Sequence, residues 1–205
     1  SGAWQYALEH QDTGAVPDFQ YHHQPFNYFA NYAPGTAARR KYLRDAGLGD
    51  DASTNRLIAD IDAGRLPAVT FYKPQGDLNM HAGYADVASG DRHIANVIEH
   101  IQRGPQWANT VVVVTVDENG GWWDPVSPPK GDRWGPGSRV PALVISPLAR
   151  KGYVDHTVYD TNSILRLISR VHGLAPLDGV VARDRAFAQN GLAPLGDLTG
   201  TLDLA

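Results

Sequence analysis

The sequence predicts an α/β fold, a mostly parallel sheet flanked by helices, and three features carry that expectation. Thr110–Val116 is an unbroken, largely β-branched run, Val140–Ile145 is a second short apolar run, and amphipathic helical stretches alternate with them. A strand that is apolar at every position reads as covered on both faces, which in α/β proteins means a parallel sheet between helix layers.

Taken in order, the opening to about Gly35 is rich in His, Gln, Asn, Pro and aromatic residues and reads as irregular structure lining something. Thr36–Ala46 has helical character and carries Arg39, Arg40, Lys41 and Arg44. A second helix is expected over Ser53–Ala63, because Leu57, Ile58 and Ile61 share a face, Ser53 can cap it and Gly64 ends it. Pro67–Tyr72 reads as a short buried strand closed by Pro74, and Gln75–Gly90 as a long polar loop. Asp91 is the expected cap of a third helix, whose stripe is Ile94, Val97, Ile98 and Ile101. The strands Thr110–Val116 and Val140–Ile145 follow, and then a helix over Thr161–Val171 with Ile164, Leu165, Leu167 and Ile168 as its apolar positions.

A chain of 205 residues is long enough for one domain with a substantial core. Its net charge of -4, with acids and bases interspersed, gives no basic stripe of the kind nucleic-acid binding needs. There is no cysteine, which excludes disulfides and thiolate metal sites. No apolar run approaches a membrane span, and the opening Ser1-Gly2-Ala3-Trp4-Gln5-Tyr6 is not a signal peptide.

Ligands of open α/β sheets bind beyond the carboxyl ends of the strands. The strongest strand here runs directly into Asp117-Glu118-Asn119-Gly120-Gly121. Adjacent carboxylates followed by glycines suit a cation held in a sharp turn; equally, Asp117 could cap the loop while Glu118 is solvated. His22, His23 and His81 lie in loops, where histidine can ligate a metal, donate a proton or hold a phosphate oxygen. His10, His93, His100 and His172 read instead as surface or satisfied residues, and His156 as a structural hydrogen-bonding group. The Pro-, Gly- and Trp-rich stretch Trp122–Arg139 reads as one wall of a pocket, with an arginine tying the loop to a carboxylate. No serine sits in Gly-x-Ser-x-Gly, so the usual serine-hydrolase elbow is absent.

Three blocks in one order carry a resemblance: Val114–Asp124, Ser138–Pro147 and Asp155–Arg166. They resemble the bacterial acid phosphatase and phospholipase C family, which is similar in fold to the alkaline phosphatase superfamily. Tyr21–Phe29 and Asn79–Gly83 look more like the acid phosphatase branch than the phospholipases.

The resemblance covers essentially the whole chain and implies an alkaline phosphatase-like sheet, incomplete in these residues. It implies that Asp117 and Glu118 are ligands of one divalent metal ion, and that His22, His23 and His81 line the phosphate pocket. One of those histidines would assist the leaving group. The implied reaction is hydrolysis of a phosphate monoester: a metal-activated Ser or Thr hydroxyl attacks phosphorus, and water hydrolyses the phosphoenzyme. The family's nucleophile and its Glu-Asn pair normally lie well upstream, so residues 1–205 are expected to be the C-terminal part of a single phosphoesterase domain whose N-terminal segment carries the nucleophile. A phospholipase C or other phosphodiesterase, and a catalytically incomplete fragment, are the rival expectations. Relatives are usually exported, which implies a periplasmic or secreted protein. Many of them have His where this chain has Pro125 after Asp124, and Pro125 cannot exchange a proton.

Overall fold

The computed structural model describes residues 21–120 and 122–204; the opening to Gln20 and Gly121, the second glycine of the pair, lie outside the described residues. The chain divides into two compact units, Ser1–Trp107 and Ala108–Ala205, each described by itself. Among the described residues the architecture is α/β, with five α-helices and a two-stranded sheet.

In the first unit, α1 (Ala37–Tyr42) is short and starts at Thr36, whose hydroxyl accepts from Arg39 N–H at 3.1 Å. α2 (Arg56–Asp62) begins at Asn55 and not at Ser53. The Asn55 carboxamide oxygen accepts from the N–H groups of Leu57 and Ile58, while its amide donates to Gly49 O at 3.0 Å. Ser53 is occupied elsewhere, since its N–H and hydroxyl both donate to Asp51 in a local turn. Asn55 is only 1% exposed, so Asn55→Ala should cost about 1–3 kcal/mol in a denaturant titration, through one lost cap and one buried carbonyl left unpaired.

α3 (Val87–Arg103) is capped five residues ahead of the expected Asp91, because Asp86 accepts from Ser89 N–H at 2.8 Å. Its apolar stripe packs on α2, where Ile58, Ile61 and Val97 form the core, with Leu57, Leu66, Tyr72 and Ile101 against them. The expected strand Pro67–Tyr72 is irregular backbone with no partner strand among the described residues. Just before it, the Gln106 side chain takes a strand's place: its oxygen accepts from Leu66 N–H at 2.9 Å and its amide donates to Leu66 O at 3.1 Å.

In the second unit, β1 (Val112–Thr115) and β2 (Ala142–Ile145) pair in register from Val112↔Ile145 to Thr115↔Ala142. The pairing is antiparallel, where the sequence suggests a mostly parallel sheet. The expected full coverage of β1 also differs: Val112, Val113 and Val114 are half-buried and Leu143 of β2 is 60% exposed. A β-branched run specifies a strand through packing, but not the direction of its neighbour.

α4 (Thr161–Val171) has the bounds expected from sequence. Asp160 and Ser163 form a reciprocal capping box, in which Asp160 N–H donates to the Ser163 hydroxyl at 3.1 Å. α5 (Asp178–Gln189) follows and buries Val180 and Phe187; Leu167, Leu195, Leu198 and Leu202 are the other buried apolar residues described in this unit. No helix among the described residues is long and apolar enough to cross a membrane.

Candidate active site

Asp117 and Glu118 lie just past the C-terminal end of β1, and both are exposed. The backbone then turns back, with Trp122 N–H donating to Asn119 O at 3.1 Å and Gly120 in the left-handed region at φ +66°. A β-carbon at Gly120 would also stand 3.0 Å from the Trp122 indole, so glycine is required there twice over. Asn119 donates to the Ser138 hydroxyl at 3.3 Å, which ties the turn to the far end of the 122–139 loop.

That loop is anchored by Asp124, whose carboxylate accepts from the Arg139 backbone N–H and Nη2, each at 2.8 Å, and from Val126 N–H at 3.0 Å. The Arg139 guanidinium and these donated bonds hold the Asp124 carboxyl well below the usual carboxylate range. This is the arginine-to-carboxylate bridge expected from the sequence. With its carboxylate already filled, Asp124 is a loop anchor.

The three candidate histidines come together in the first unit. His22 and His23 lie on the short 3-10 turn Tyr21–His23, with ring centroids 4.4 Å apart, and His23 stands 6.4 Å from His81. His81 is set by its own loop. Its Nδ1–H donates to Ala82 O at 2.7 Å, its N–H donates to Asn79 Oδ1 at 2.9 Å, and its ring stacks on Tyr84 at 4.6 Å. In the neutral ring this leaves Nε2 as the lone-pair nitrogen, the atom that would meet a phosphate proton or a leaving group. Tyr84 was not singled out by sequence reasoning, and its only signal there is a place three residues after His81 in the same loop.

Met80, immediately before His81, adopts a left-handed backbone at φ +65°. Its side chain lies against Gly90 in the first turn of α3, where an added β-carbon would collide with Met80 Cγ and come within 2.9 Å of Leu78 O. Gly90→Ala should therefore displace the 78–81 segment, costing about 1–3 kcal/mol and altering the His81 environment. Loss of the His23–His81 cross-peaks in NOE spectra is the check.

His93 and His100 are satisfied and His172 is exposed, as expected, while His10 lies outside the described residues. His93 is buried, with Nδ1 on Asp50 and Nε2 accepting from the Tyr72 hydroxyl at 2.6 Å; His100 Nδ1 lies 2.7 Å from Asp62. Burial pushes the Tyr72 phenol upward. His156 is exposed, and the bonds that shape its loop go to Asp155, which accepts from Thr157 N–H and from the Tyr159 hydroxyl, both at 2.8 Å. Burial, and then that bond to Asp155, push the Tyr159 phenol up to about 12.

The histidines thus belong to the first unit and the carboxylates to the second. Paired carboxylates are suitable donors for a hard divalent cation. Such ions take roughly four to eight ligands, so solvent, substrate oxygens or other side chains must fill the remaining positions. Among the described residues no group of three or more His, Asp or Glu is gathered closely enough to hold a metal by itself.

Comparison with known proteins gives the family. The model of the phosphoesterase family matches residues 3–175. The chain belongs to that family. Phospholipase C B of Mycobacterium tuberculosis is 32% identical over 175 residues, covering 73% of this chain and 32% of that protein. Hemolytic phospholipase C of Pseudomonas aeruginosa is 25% identical over 227 residues, covering 98% of this chain and 28% of its own length. Non-specific phospholipase C6 of Arabidopsis thaliana is 30% identical over 149 residues, 57% of this chain and 28% of the plant protein. The phosphoesterase chain spans about a third of the length of the curated relatives it matches.

Proposed function

We propose that this chain supplies the metal-binding carboxylates and the pocket histidines of a phosphate-ester hydrolase whose nucleophile comes from an upstream segment. The observation that carries the reading is the placement of Asp117 and Glu118, exposed at the carboxyl end of β1 in a phosphoesterase-family chain. Asp117 and Glu118 would hold one divalent cation, which when bound supplies a positive charge for the oxygens that become negative in the transition state. His22 and His23 would bind phosphate oxygens through ring N–H groups, and His81, whose Nδ1–H is held by Ala82 O, would meet the substrate through Nε2, accepting a proton there or, when protonated, donating it to the leaving group. The 122–139 loop, anchored by Asp124 and Arg139, would hold the carboxylate turn in shape.

The relatives are named phospholipases C, and this supports a phosphodiester of the phospholipid type as substrate. Phosphomonoester hydrolysis of the acid phosphatase type is the second reading, favoured by the opening Tyr21–Phe29 and the Asn79–Gly83 segment. In either case β1 would belong to a larger, mostly parallel, alkaline phosphatase-like sheet, with β2 as an antiparallel member; such mixed sheets are common. The chain would then be the C-terminal part of a single phosphoesterase domain. Export to the periplasm or beyond the cell belongs to the same reading.

The test is hydrolysis of p-nitrophenylphosphorylcholine and of p-nitrophenyl phosphate, with and without chelator, by the chain alone and joined to an upstream segment. Chelator-sensitive turnover that requires the upstream segment is expected, with the diester preferred. Preference for the monoester would favour the second reading. Turnover indifferent both to chelator and to Asp117→Asn would sink the proposal.

A further inference from the structure

Three of the chain's five tryptophans lie on one loop and face outward: Trp122, Trp123 and Trp134 are 74%, 85% and 75% exposed. Val126, between them, is 48% exposed. Indoles usually bury 150–250 Å² each when they pack, so three left exposed on one loop need a reason.

The loop beneath them is anchored along its length. Asp124 is fixed by Arg139, and Asp132 by Arg183 at 3.3 Å. The turn 132–135 is closed by Asp132 N–H donating to Gly135 O at 3.0 Å, and Trp134 N–H donates to Asp132 Oδ1 at 2.8 Å. Asn190, the C-cap of α5, donates to Gly131 O at 3.0 Å, and Pro125, Pro128 and Pro129 stiffen the intervening backbone. The indoles are held outward on a fixed frame.

Within the loop, Asp124 and Asp132 are both paired with arginines, and the other exposed charges are Lys130 and Arg133, with the Arg133 guanidinium 4.3 Å over the Trp134 ring; the exposed Asp117 and Glu118 lie just before it. Outward indoles flanked by cations match the headgroup layer of a phospholipid surface, where tryptophan is enriched and phosphates attract Lys and Arg. The same loop begins at the carboxylate turn, since Trp122 N–H donates to Asn119 O.

We propose that Trp122, Trp123 and Trp134, with Lys130 and Arg133, form a lipid-interface surface that seats the protein on phospholipid beside its carboxylate pair. This deepens, and rests on, the phospholipid reading of the substrate.

The test is flotation of the purified chain with vesicles of phosphatidylcholine, alone and mixed with phosphatidylglycerol, together with tryptophan emission. The chain should float, its emission should shift to the blue, and brominated phosphatidylcholine should quench it. The triple variant Trp122→Ala, Trp123→Ala, Trp134→Ala should lose about tenfold or more in vesicle affinity. Its far-UV circular dichroism should be unchanged, and Trp123→Ala alone serves as the reporter if the triple variant misfolds. Lys130→Gln with Arg133→Gln should weaken binding to the anionic vesicles more than to pure phosphatidylcholine. Failure of the chain to float, or equal binding by the tryptophan variants, overturns the proposal. So does a lipid-induced emission shift that the triple variant leaves unchanged, because the loop indoles would then not be the ones entering lipid. Flotation needs no hydrolysis. A chain that cleaves phospholipid in detergent but ignores vesicles overturns only this proposal, and one that floats but cleaves nothing overturns only the assigned activity.

Discussion

Asp117→Asn should weaken divalent-cation binding to the chain by at least about tenfold, measured by titration calorimetry, which is about 1.4 kcal/mol. Where the upstream segment is present, hydrolysis should fall about a thousandfold, about 4 kcal/mol on the barrier. The asymmetry follows from what the substitution removes. Asn keeps the shape and one oxygen of the side chain but loses the negative charge, and a hard cation depends on that charge far more than on packing. Asp117 is exposed at a strand end, so the melting temperature should stay within a degree or two. Glu118→Gln should behave in the same way. A large loss of stability with unchanged cation binding would instead make the pair structural, with Asp117 acting as the cap of its loop.

Which features were legible in the sequence follows from how local their causes are. The bounds of α4 come from the Asp160–Ser163 capping box and four apolar positions within one short segment, so composition and spacing suffice. The start of α3 was misplaced because Asp86 and Asp91 are both able to cap. The choice of Asp86 rests on a helical first turn that contains Gly90, a poor helix former kept there by contact with the Met80 side chain. That reason lies ten residues away in sequence and is invisible to a local reading. α5 was missed for another cause: Val180, Val181 and Phe187 are separated by Arg183, Asp184 and Arg185, and Leu177 offers no capping side chain. β1 was evident as a strand, but its neighbour's direction is a long-range property that β-branched residues do not encode. Pro67–Tyr72 had strand composition, and the structure supplies it with a glutamine side chain at its entry in place of a partner strand. For the site, residue chemistry selected the histidines that the fold gathers. The stacking of Tyr84 and the strained Met80 needed coordinates.

Arg183→Met is expected to be the most destabilising single change in the second unit, by about 3–5 kcal/mol. Arg183 lies on α5 with only 12% of its side chain exposed, and it bridges two carboxylates, with Nε 3.3 Å from Asp132 Oδ2 and Nη1 3.1 Å from Asp160 Oδ2. Asp160 is itself 8% exposed and serves as the cap of α4, while Asp132 closes the turn that carries Trp134. Methionine fills much of the volume, so packing loss is a small part of the expected cost. The larger part is two carboxylates left facing each other with their cation gone, in a setting too dry to screen them. Asp160 cannot relieve this by rotating away, because its oxygens also hold the first turn of α4. Denaturant unfolding of the chain is the measurement, and the variant should shift the midpoint without changing the slope. Combining Arg183→Met with Asp132→Asn should recover part of the loss, since one repelling charge is removed while the turn keeps a hydrogen-bond acceptor. A loss below about 1 kcal/mol in the single variant would place the bridge among exposed ion pairs of little weight, and would remove Arg183 as the link between the tryptophan loop and the start of α4.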